Sequence, residues 1–365
     1  MKFVKADQLK VGMRIARPIY NKKGVLLYER DSKITTQGIE SVKNFGLIGI
    51  FILEPAEPCP PMSAEDIEFE RFQTMQVFAI EEELREMNMN KHTKKLDMIV
   101  AAIIKEYGRL NHKINFIQNL RSNEDYVYKH SLNVAILCAL MGHRLNISVA
   151  ELNDVVTAGV VHDIGKLNVS ESALKGASER EREFAIKNAE LNGLAQLEYI
   201  FTSNPNVKRM SAQANKVLDG TSNPEETSKM KIVIGAQILM VAETYDTMTA
   251  MNALGEPASE VEALRYMLKN PDIYSKQVVS ALVSSITFLS SGTGVELTNG
   301  ERALVIAENT NDVLRPTVLQ FSNNEIIDLS NRMVYDDLEI ADIMKTMDNR
   351  HVIDDDSLKK LGLKK

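Results

Sequence analysis

The residues best suited to metal-assisted chemistry lie in one short segment, His162-Asp163-Ile-Gly-Lys166. An imidazole and a carboxylate on adjacent residues can bind one divalent cation together, and a lysine three residues later can contact a phosphate. Such ligands suit manganese, iron, zinc or nickel, and the bound cation polarises a phosphoryl oxygen and lowers the pKa of a bound water. The segment therefore predicts a phosphoester hydrolase type of site, with Asp163 and Lys166 as candidate catalytic residues.

Two further candidate ligands lie on predicted helices. Apolar residues recur at intervals of three and four through 132–140 and 232–248, which is typical of buried helix faces. His130 precedes the first of these segments and Glu243 lies within the second. Helices that each contribute one ligand can surround an ion inside an all-α bundle. The predicted metal ligands are His130, His162, Asp163 and Glu243. The remaining histidines lack ligand-like neighbours and are predicted to be solvated: His92, His112, His143 and His351.

Composition excludes several other classes of protein. A formal charge of -7 argues against binding to duplex DNA, which normally needs a basic face. Cys59 and Cys138 lie far apart without a Cys-x-x-Cys spacing, so neither a disulfide framework nor a cysteine zinc site is expected. The chain begins without an apolar signal core and has no stretch near the ~18 apolar residues of a membrane span. We therefore expect a cytoplasmic protein that contacts neither DNA nor a membrane.

The 365 residues predict two or three domains. Short β-prone runs and one predicted helix, at 35–45, indicate a small α+β unit over 1–54. The proline-rich segment 55–62 is predicted to be a linker, because proline ends both helices and strands. Ser63 and Asp66 then predict a helical capping box, and helical patterning continues to about residue 290. An Asn-Gly turn at 299–300 between two β-prone runs indicates a β-hairpin in the last part of the chain.

The central region resembles the HD-GYP phosphodiesterases of bacterial cyclic di-GMP signalling, within the larger HD superfamily. The resemblance covers roughly residues 120 to 290, and further segments are similar to units that often flank this domain. It is carried by His130-Ser-Leu-Asn-Val-Ala135, His162-Asp-Ile-Gly-Lys166, Leu218-Asp-Gly220 with Pro224, Val241-Ala-Glu-Thr-Tyr-Asp-Thr-Met-Thr249, and the β-module residues Gly292–Ala303 with Leu314-Arg-Pro316.

The resemblance implies a mainly α fold, an HD-type helical bundle with a small N-terminal α+β unit and a C-terminal β-module. The predicted boundaries are 1–54 for the N-terminal unit, 55–62 for the linker, 63–120 for a helical input or dimerisation segment, 121–290 for the HD-GYP-like domain, 291–335 for the β-module and 336–365 for a helical or solvated tail.

The chain departs from the family at several metal ligands. The family's signature reads His-His-Glu, two residues, Asp-Gly, one residue, Gly-Tyr-Pro. Here Ala214 and Asn215 replace both histidines, and Ser222-Asn223 replaces Gly-Tyr. No histidine occurs around Asn188-Ala-Glu190, where another ligand is expected. Glu243 replaces the aspartate of the Val-Ala-Asp motif, and Tyr126 falls where trinuclear members carry a glutamate ligand.

The four residual ligands match the set of mononuclear HD proteins, with a longer carboxylate in the last position. The three missing imidazoles all belong to the half of the site that would hold a second ion. We therefore expect at most one divalent metal ion (manganese, iron, zinc or nickel), or none. The resemblance also implies that Lys166, Asp219 and Asn223 contact a bound nucleotide. Glu190 is a weaker candidate to replace one lost ligand.

Three functions remain open from the sequence. The leading hypothesis is a degenerate HD-GYP signalling protein that binds a cyclic dinucleotide or a protein partner with little or no hydrolysis. The second is a mononuclear metal-dependent phosphohydrolase that uses the four ligands and Lys166. The third is a structural interaction module, in which the segment 63–120 forms a homodimer or receives a signal. Metal content separates the second hypothesis from the others, and affinity for cyclic di-GMP separates the first from the third.

Overall fold

Buried apolar side chains form separate clusters in the N-terminal, central and C-terminal parts of the chain. The computed structural model describes residues 2–20, 25–47, 49–53, 63–119, 121–122, 124–169, 177–219, 231–250 and 257–344. The central cluster lies between helices, and the other two lie against small antiparallel sheets. The predicted mainly α fold, with an α+β unit before the helices and a β-module after them, is confirmed.

The N-terminal unit combines a three-stranded sheet, a short hairpin and one helix. Its elements are β1 (Lys2–Lys5), β2 (Arg14–Ile15), β3 (Ile19–Tyr20), β4 (Leu26–Tyr28), α1 (Thr36–Asn44) and β5 (Gly49–Leu53). The sheet order is β1-β5-β2, and β3 pairs with β4. The hydroxyl of Thr35 accepts from the backbone N–H of Gly38 and thereby caps α1. The segment predicted as a linker lies outside the described residues.

The central part of the chain is helical. Its elements are α2 (Ala64–Asn90), α3 (Leu96–Tyr107), α4 (Tyr126–Arg144), α5 (Val149–Val161), a short 3-10 helix (Ile164–Asn168), α6 (Glu179–Ile200), α7 (Pro205–Leu218), α8 (Ile234–Thr249), α9 (Glu260–Lys269) and α10 (Lys276–Ser285). The predicted capping box of Ser63 and Asp66 begins α2. Ser148 with Glu151 begins α5 in the same way. None of the described helices is both long enough and apolar enough to span a membrane.

Helix α4 is the central helix of this bundle. Every residue from 130 to 142 is buried, and α2, α5, α8 and α10 pack around it. A helix that is apolar on all sides belongs in a core, and the polar residues His130, Ser131 and Asn133 interrupt that pattern. Helix α5 crosses α4 closely at Gly159, where a Cβ atom would lie 2.9 Å from the Cα of Ala135. These contacts hold the start of α4 against the end of α5.

The C-terminal module is a five-stranded antiparallel sheet. Its elements are β6 (Gly294–Leu297), β7 (Arg302–Ala307), β8 (Thr317–Gln320), β9 (Ile326–Asp328), α11 (Arg332–Tyr335) and β10 (Ile340–Ile343), and the sheet order is β10-β6-β7-β8-β9. The prediction of a helical or solvated tail from residue 336 is wrong for 340–343. This segment pairs with β6, and Ile340 is fully buried in the core of the sheet.

Candidate metal centre

Three parts of the bundle converge on one cluster of side chains. His130 lies in the first turns of α4, His162 and Asp163 follow α5, and Glu243 lies on α8. The structure brings together all four residues predicted as ligands. One ligand atom from each lies within 4.8 Å of those of the other three.

The atoms of the cluster are close enough to share one ion. Nε2 of His130 and Nε2 of His162 lie 2.7 Å and 2.8 Å from Oε2 of Glu243, and 3.2 Å from each other. Asp163 is further away, at 3.6 Å from His130 and 3.8 Å from His162. Ligands about 2.0–2.2 Å from a metal ion lie roughly 3 to 3.5 Å apart in tetrahedral or octahedral sites. The observed separations scatter around that range, so the donor set fits a single first-row divalent ion.

Contacts outside the cluster orient both imidazoles. Nδ1 of His130 donates to Oδ2 of Asp246 at 2.6 Å, and Nδ1 of His162 donates to the carbonyl of Gly159 at 3.0 Å. Each Nε2 therefore points into the cluster. Metal-ligating histidines typically have this second hydrogen bond to a carboxylate or a backbone carbonyl. The two histidines are thus oriented for an ion before it arrives.

The buried charges of the cluster shift one another's pKa values. Burial alone would raise the pKa of Glu243, but the imidazoles of His130 and His162 outweigh it and hold that pKa well below its usual range. Burial would lower the pKa of His130, but Glu243 and Asp246 raise it well above the ordinary value. Glu243 thus remains ionised, and the imidazole of His130 stays protonated beside it. A cation bound to Nε2 of His130 would displace the proton there, because metal ligands bind in their deprotonated form.

Lys166 lies beside the cluster and contacts two carboxylates. Its Nζ atom is 2.9 Å from Oδ1 of Asp163 and 3.5 Å from Oε1 of Glu190. Burial alone would lower the pKa of this lysine, but Asp163, Glu243 and Glu190 together raise it. Lys166 is therefore an ammonium ion. Oδ2 of Asp163 faces His130, whereas Oδ1 lies between His162 and this positive charge.

Gly165 allows the 3-10 helix to approach α6. A Cβ atom at this position would lie 2.0 Å from the carbonyl oxygen of Ala189, which is closer than side-chain carbons come to backbone atoms. This contact brings Lys166 within reach of Glu190 on α6. The glycine of the His162-Asp-Ile-Gly-Lys166 segment thus has a packing role beside the charged residues.

Comparison with known proteins shows what this chain is similar to. The HD domain family matches residues 115–278. A cyclic di-GMP phosphodiesterase of Pseudomonas aeruginosa is 24% identical over 228 residues, which is 62% of this chain and 54% of the relative. Residues 115–278 of the chain thus match an HD domain, and the similar proteins include a phosphodiesterase of cyclic di-GMP.

Two more proteins are similar to the chain. The 3'3'-cGAMP-specific phosphodiesterase 3 of Vibrio cholerae is 26% identical over 155 residues, 42% of this chain and 32% of that protein. The solved structure of an HDG"Y"P protein from Bdellovibrio bacteriovorus has a TM-score of 0.46 and 15% identity, over 77% of this chain and 97% of the other. The chain spans about half the length of the Pseudomonas relative and about a third of the Vibrio protein.

Several residues of the HD domain depart from the family signature, and some of them lie in the described regions. Ala214 is buried on α7, and Asp219 follows that helix at 3.9 Å from Lys187. Asp219 is not part of the four-residue cluster, and Asn223 lies outside the described residues. Tyr126 stacks on the ring of His130, with centroids 5.9 Å apart and an interplanar angle of 19°. Within the part of the chain that the structure describes, no second group of potential metal ligands occurs.

The other histidines of the described regions have partners away from the HD cluster. His92 lies 3.8 Å from Glu86, and His112 lies 2.7 Å from Glu65, both near the surface. Nε2 of His143 contacts the side chain of Asn111. His351 lies outside the described residues.

Two residues that contact the centre were missed by the sequence analysis. No role in the site was predicted for Asp246 from the sequence, but its carboxylate accepts from His130 and, at 2.7 Å, from Arg121. The signal for Asp246 was available, because it follows Glu243 by three residues and so shares its helix face. Arg121 precedes α4 in a segment without periodicity, and the sequence has no local feature that distinguishes it.

Proposed function

We propose that this HD-GYP-type protein is a bacterial signalling protein that binds a cyclic dinucleotide, holds at most one divalent metal ion and has little or no phosphodiesterase activity. The Pseudomonas and Vibrio relatives, whose names describe phosphodiesterases of cyclic dinucleotides, support the ligand class. The four-residue cluster supports a site for one ion. We place the protein in the cytoplasm, where cyclic dinucleotides act.

One observation carries the proposal of a single ion. Oδ1 of Asp163, the oxygen not paired with His130, contacts the ammonium group of Lys166 at 2.9 Å, and that lysine also contacts Glu190 at 3.5 Å. A second cation on this side would have to displace a positive charge held by two carboxylates. Two of the family's imidazoles are also absent from this chain, since Ala214 and Asn215 stand in their places. Two-metal catalysis needs both ions to stabilise the attacking and leaving oxygens.

The residues of this chain have distinct roles in the proposed site. His130, His162, Asp163 and Glu243 would hold the ion, which when bound acts as a Lewis acid toward a phosphoryl oxygen. The outer contacts of the two histidines keep both Nε2 atoms directed inward. Lys166 supplies positive charge to a phosphate oxygen as its contact with Glu190 opens. Asp219, which follows α7, and Asn223 would contact the nucleotide.

A mononuclear phosphohydrolase is the second candidate function. The observation that favours it is the completeness of the single-ion site, in which both imidazoles already have outer hydrogen-bond partners. Loss of the second ion would remove several kcal/mol of transition-state stabilisation, and about 1.4 kcal/mol corresponds to tenfold in rate. This reading therefore predicts slow but measurable turnover.

Metal content and turnover distinguish these functions. The experiment combines elemental analysis with cyclic di-GMP binding and turnover, under anaerobic conditions with manganese or ferrous iron. It compares the wild-type chain with His162→Ala and Asp163→Ala, and His143→Ala serves as a control because its ring lies away from the cluster. We expect at most one ion per chain and nucleotide binding with negligible turnover. Two stoichiometric ions, or no nucleotide binding, would overturn the proposal. Robust turnover that both cluster variants abolish would establish the mononuclear enzyme.

A further inference from the structure

A chain of buried side chains connects helix α2 to the metal centre. Nε2 of Gln73, on α2, donates to Oδ1 of Asn133 at 3.0 Å. Nδ2 of Asn133 donates to Oδ1 of Asp246 at 2.9 Å, and Oδ2 of Asp246 accepts from His130. All four residues are at most 3% exposed. Three consecutive hydrogen bonds, shielded from water, thus join α2 to a candidate metal ligand.

The donor and the acceptor of each of these three hydrogen bonds are determined. An ionised carboxylate only accepts, and the ion pair with Arg121 keeps the pKa of Asp246 low although burial alone would raise it. Asn133 must therefore direct its NH₂ group at Asp246, which leaves its carbonyl oxygen facing Gln73. Gln73 must then donate, and its NH₂ group also reaches the carbonyl of Ile117 at 3.1 Å.

Gln73 occupies a position where an apolar residue would ordinarily stand. The core-facing side of α2 contains Phe69, Val77, Ile80 and Leu84, and Gln73 falls in the same stripe. A buried amide without partners is costly, so a glutamine at this position depends on the hydrogen bonds that it makes. Because Gln73 lies in this stripe, its hydrogen bonds depend on how α2 is aligned along α4.

The same end of the network borders the N-terminal unit. Gln73 lines a cavity of about 110 Å³ together with Phe45 of that unit and Val77 of α2. Arg17, also from the N-terminal unit, donates to the carbonyl of Gln118 at 2.7 Å. Movement of either α2 or the N-terminal unit would therefore change the surroundings of Gln73.

We propose that Gln73 is a positioning residue for the metal centre and that α2 regulates metal affinity through it. Gln73 donates to the carbonyl oxygen of Asn133 and thereby supports the amide orientation in which the NH₂ group faces Asp246 and Gln118. Asn133 shares with Arg121 the task of holding Asp246 against His130. A displacement of α2 would remove one hydrogen bond from Asn133 and loosen the partner that directs His130 at the ion. The proposal rests on the proposed function only in that the cluster binds a metal ion.

Two substitutions of Gln73 test this relay. Gln73→Glu keeps the size of the side chain but presents acceptors to the Asn133 carbonyl, so the amide of Asn133 can no longer satisfy both Asp246 and residue 73. We expect Mn²⁺ affinity, measured by calorimetric titration, to fall about tenfold, the low end of what loss of an outer partner costs a metal site. Gln73→Leu should cost less, about threefold, because Asn119 still donates to Asn133 at 3.3 Å.

Val77→Ala is the matched control. Val77 lies one turn further along α2, lines the same cavity and is buried, but it is not part of the polar chain. This variant should lose stability while its Mn²⁺ affinity stays at the wild-type value. A purely structural role of α2 would instead make Mn²⁺ affinity follow stability in all three variants, and that result would overturn the proposal.

A second measurement, by NMR, needs no metal ion. The proton shared by Nδ1 of His130 and Asp246 should give a strongly downfield NMR resonance, and we expect it to shift in Gln73→Glu but not in Val77→Ala. An unmoved resonance with unchanged Mn²⁺ affinity would overturn the relay. If the wild-type chain binds no Mn²⁺, the proposed function fails, and the resonance alone decides the relay. If Gln73→Glu does not fold, Gln73→Leu decides by the same two measurements.

Discussion

The two sides of the candidate metal centre differ in how firmly they are built into the fold. On the side of α4 and α8, Asp246 has four hydrogen-bond contacts to three neighbours and no exposure to solvent. On the side of the 3-10 helix and α6, Lys166 is 28% exposed in its side chain and its contact with Glu190 is 3.5 Å long. The α4 and α8 side belongs to the core of the bundle, whereas the α6 side consists of a partly exposed ion pair at its edge.

This difference indicates what each side contributes. A substitution on the α4 side leaves a buried charge or amide without a partner, so it should damage folding and metal binding together. A substitution on the α6 side can be compensated by water. The departures from the family signature at Ala214 and Asn215 lie on α7, which packs against α5, α6 and α8, and Ala214 is buried in the core of the bundle.

The largest effect is expected on the core side. Asp246→Ala would leave the guanidinium of Arg121 fully buried without its carboxylate, and it would remove an acceptor from His130 and from Asn133. Breaking one partner of a buried ion pair costs about 3–5 kcal/mol. We expect a loss of that size in the free energy of unfolding, measured with a chemical denaturant. Asp219→Ala, on the other side, is the matched control and should change it by less than about 1 kcal/mol. Equal losses in the two variants would remove the distinction between the sides.

Binding of a metal ion to the four-residue cluster should stabilise the folded chain. Binding to the folded state alone contributes RT ln(1 + [L]/Kd), which is about 2.7 kcal/mol when the free ion is at 100 times its Kd. We expect Mn²⁺ to raise the free energy of unfolding of the wild-type chain by about this amount at that concentration. His162→Ala removes one imidazole of the cluster and should lose nearly all of the gain, whereas His143→Ala should keep it. An equal gain in all three chains would locate the ion elsewhere.

Features that depend on neighbouring residues in the sequence could be predicted. The capping box of Ser63 and Asp66 is a local signal over four residues, and the structure has it. The cluster of His130, His162, Asp163 and Glu243 was reached by combining a dipeptide motif with helical periodicity, and the four side chains do meet.

Features that depend on distant residues could not be found in the same way. Arg121 and Asp246 are 125 residues apart, and no periodicity connects them. The strand Ile340–Ile343 has only four residues and pairs with β6, which begins at Gly294. Such a short segment has no strand signal of its own, and it becomes a strand because the edge of β6 is there to pair with.

The smallest effect is expected at Glu190. Glu190→Gln removes a carboxylate whose pKa is raised, first by burial and despite the nearby Lys166, and a neutral amide is easier to bury there. Lys166 would keep its closer contact with Asp163 at 2.9 Å. We expect the free energy of unfolding to change by less than about 1 kcal/mol, as for partly exposed ion pairs. Mn²⁺ affinity should stay within about threefold of the wild-type value, because Glu190 lies outside the ligand cluster. A hundredfold loss in the titration would make Glu190 a fifth ligand, and the α6 side would then belong to the metal centre as firmly as the α4 side does.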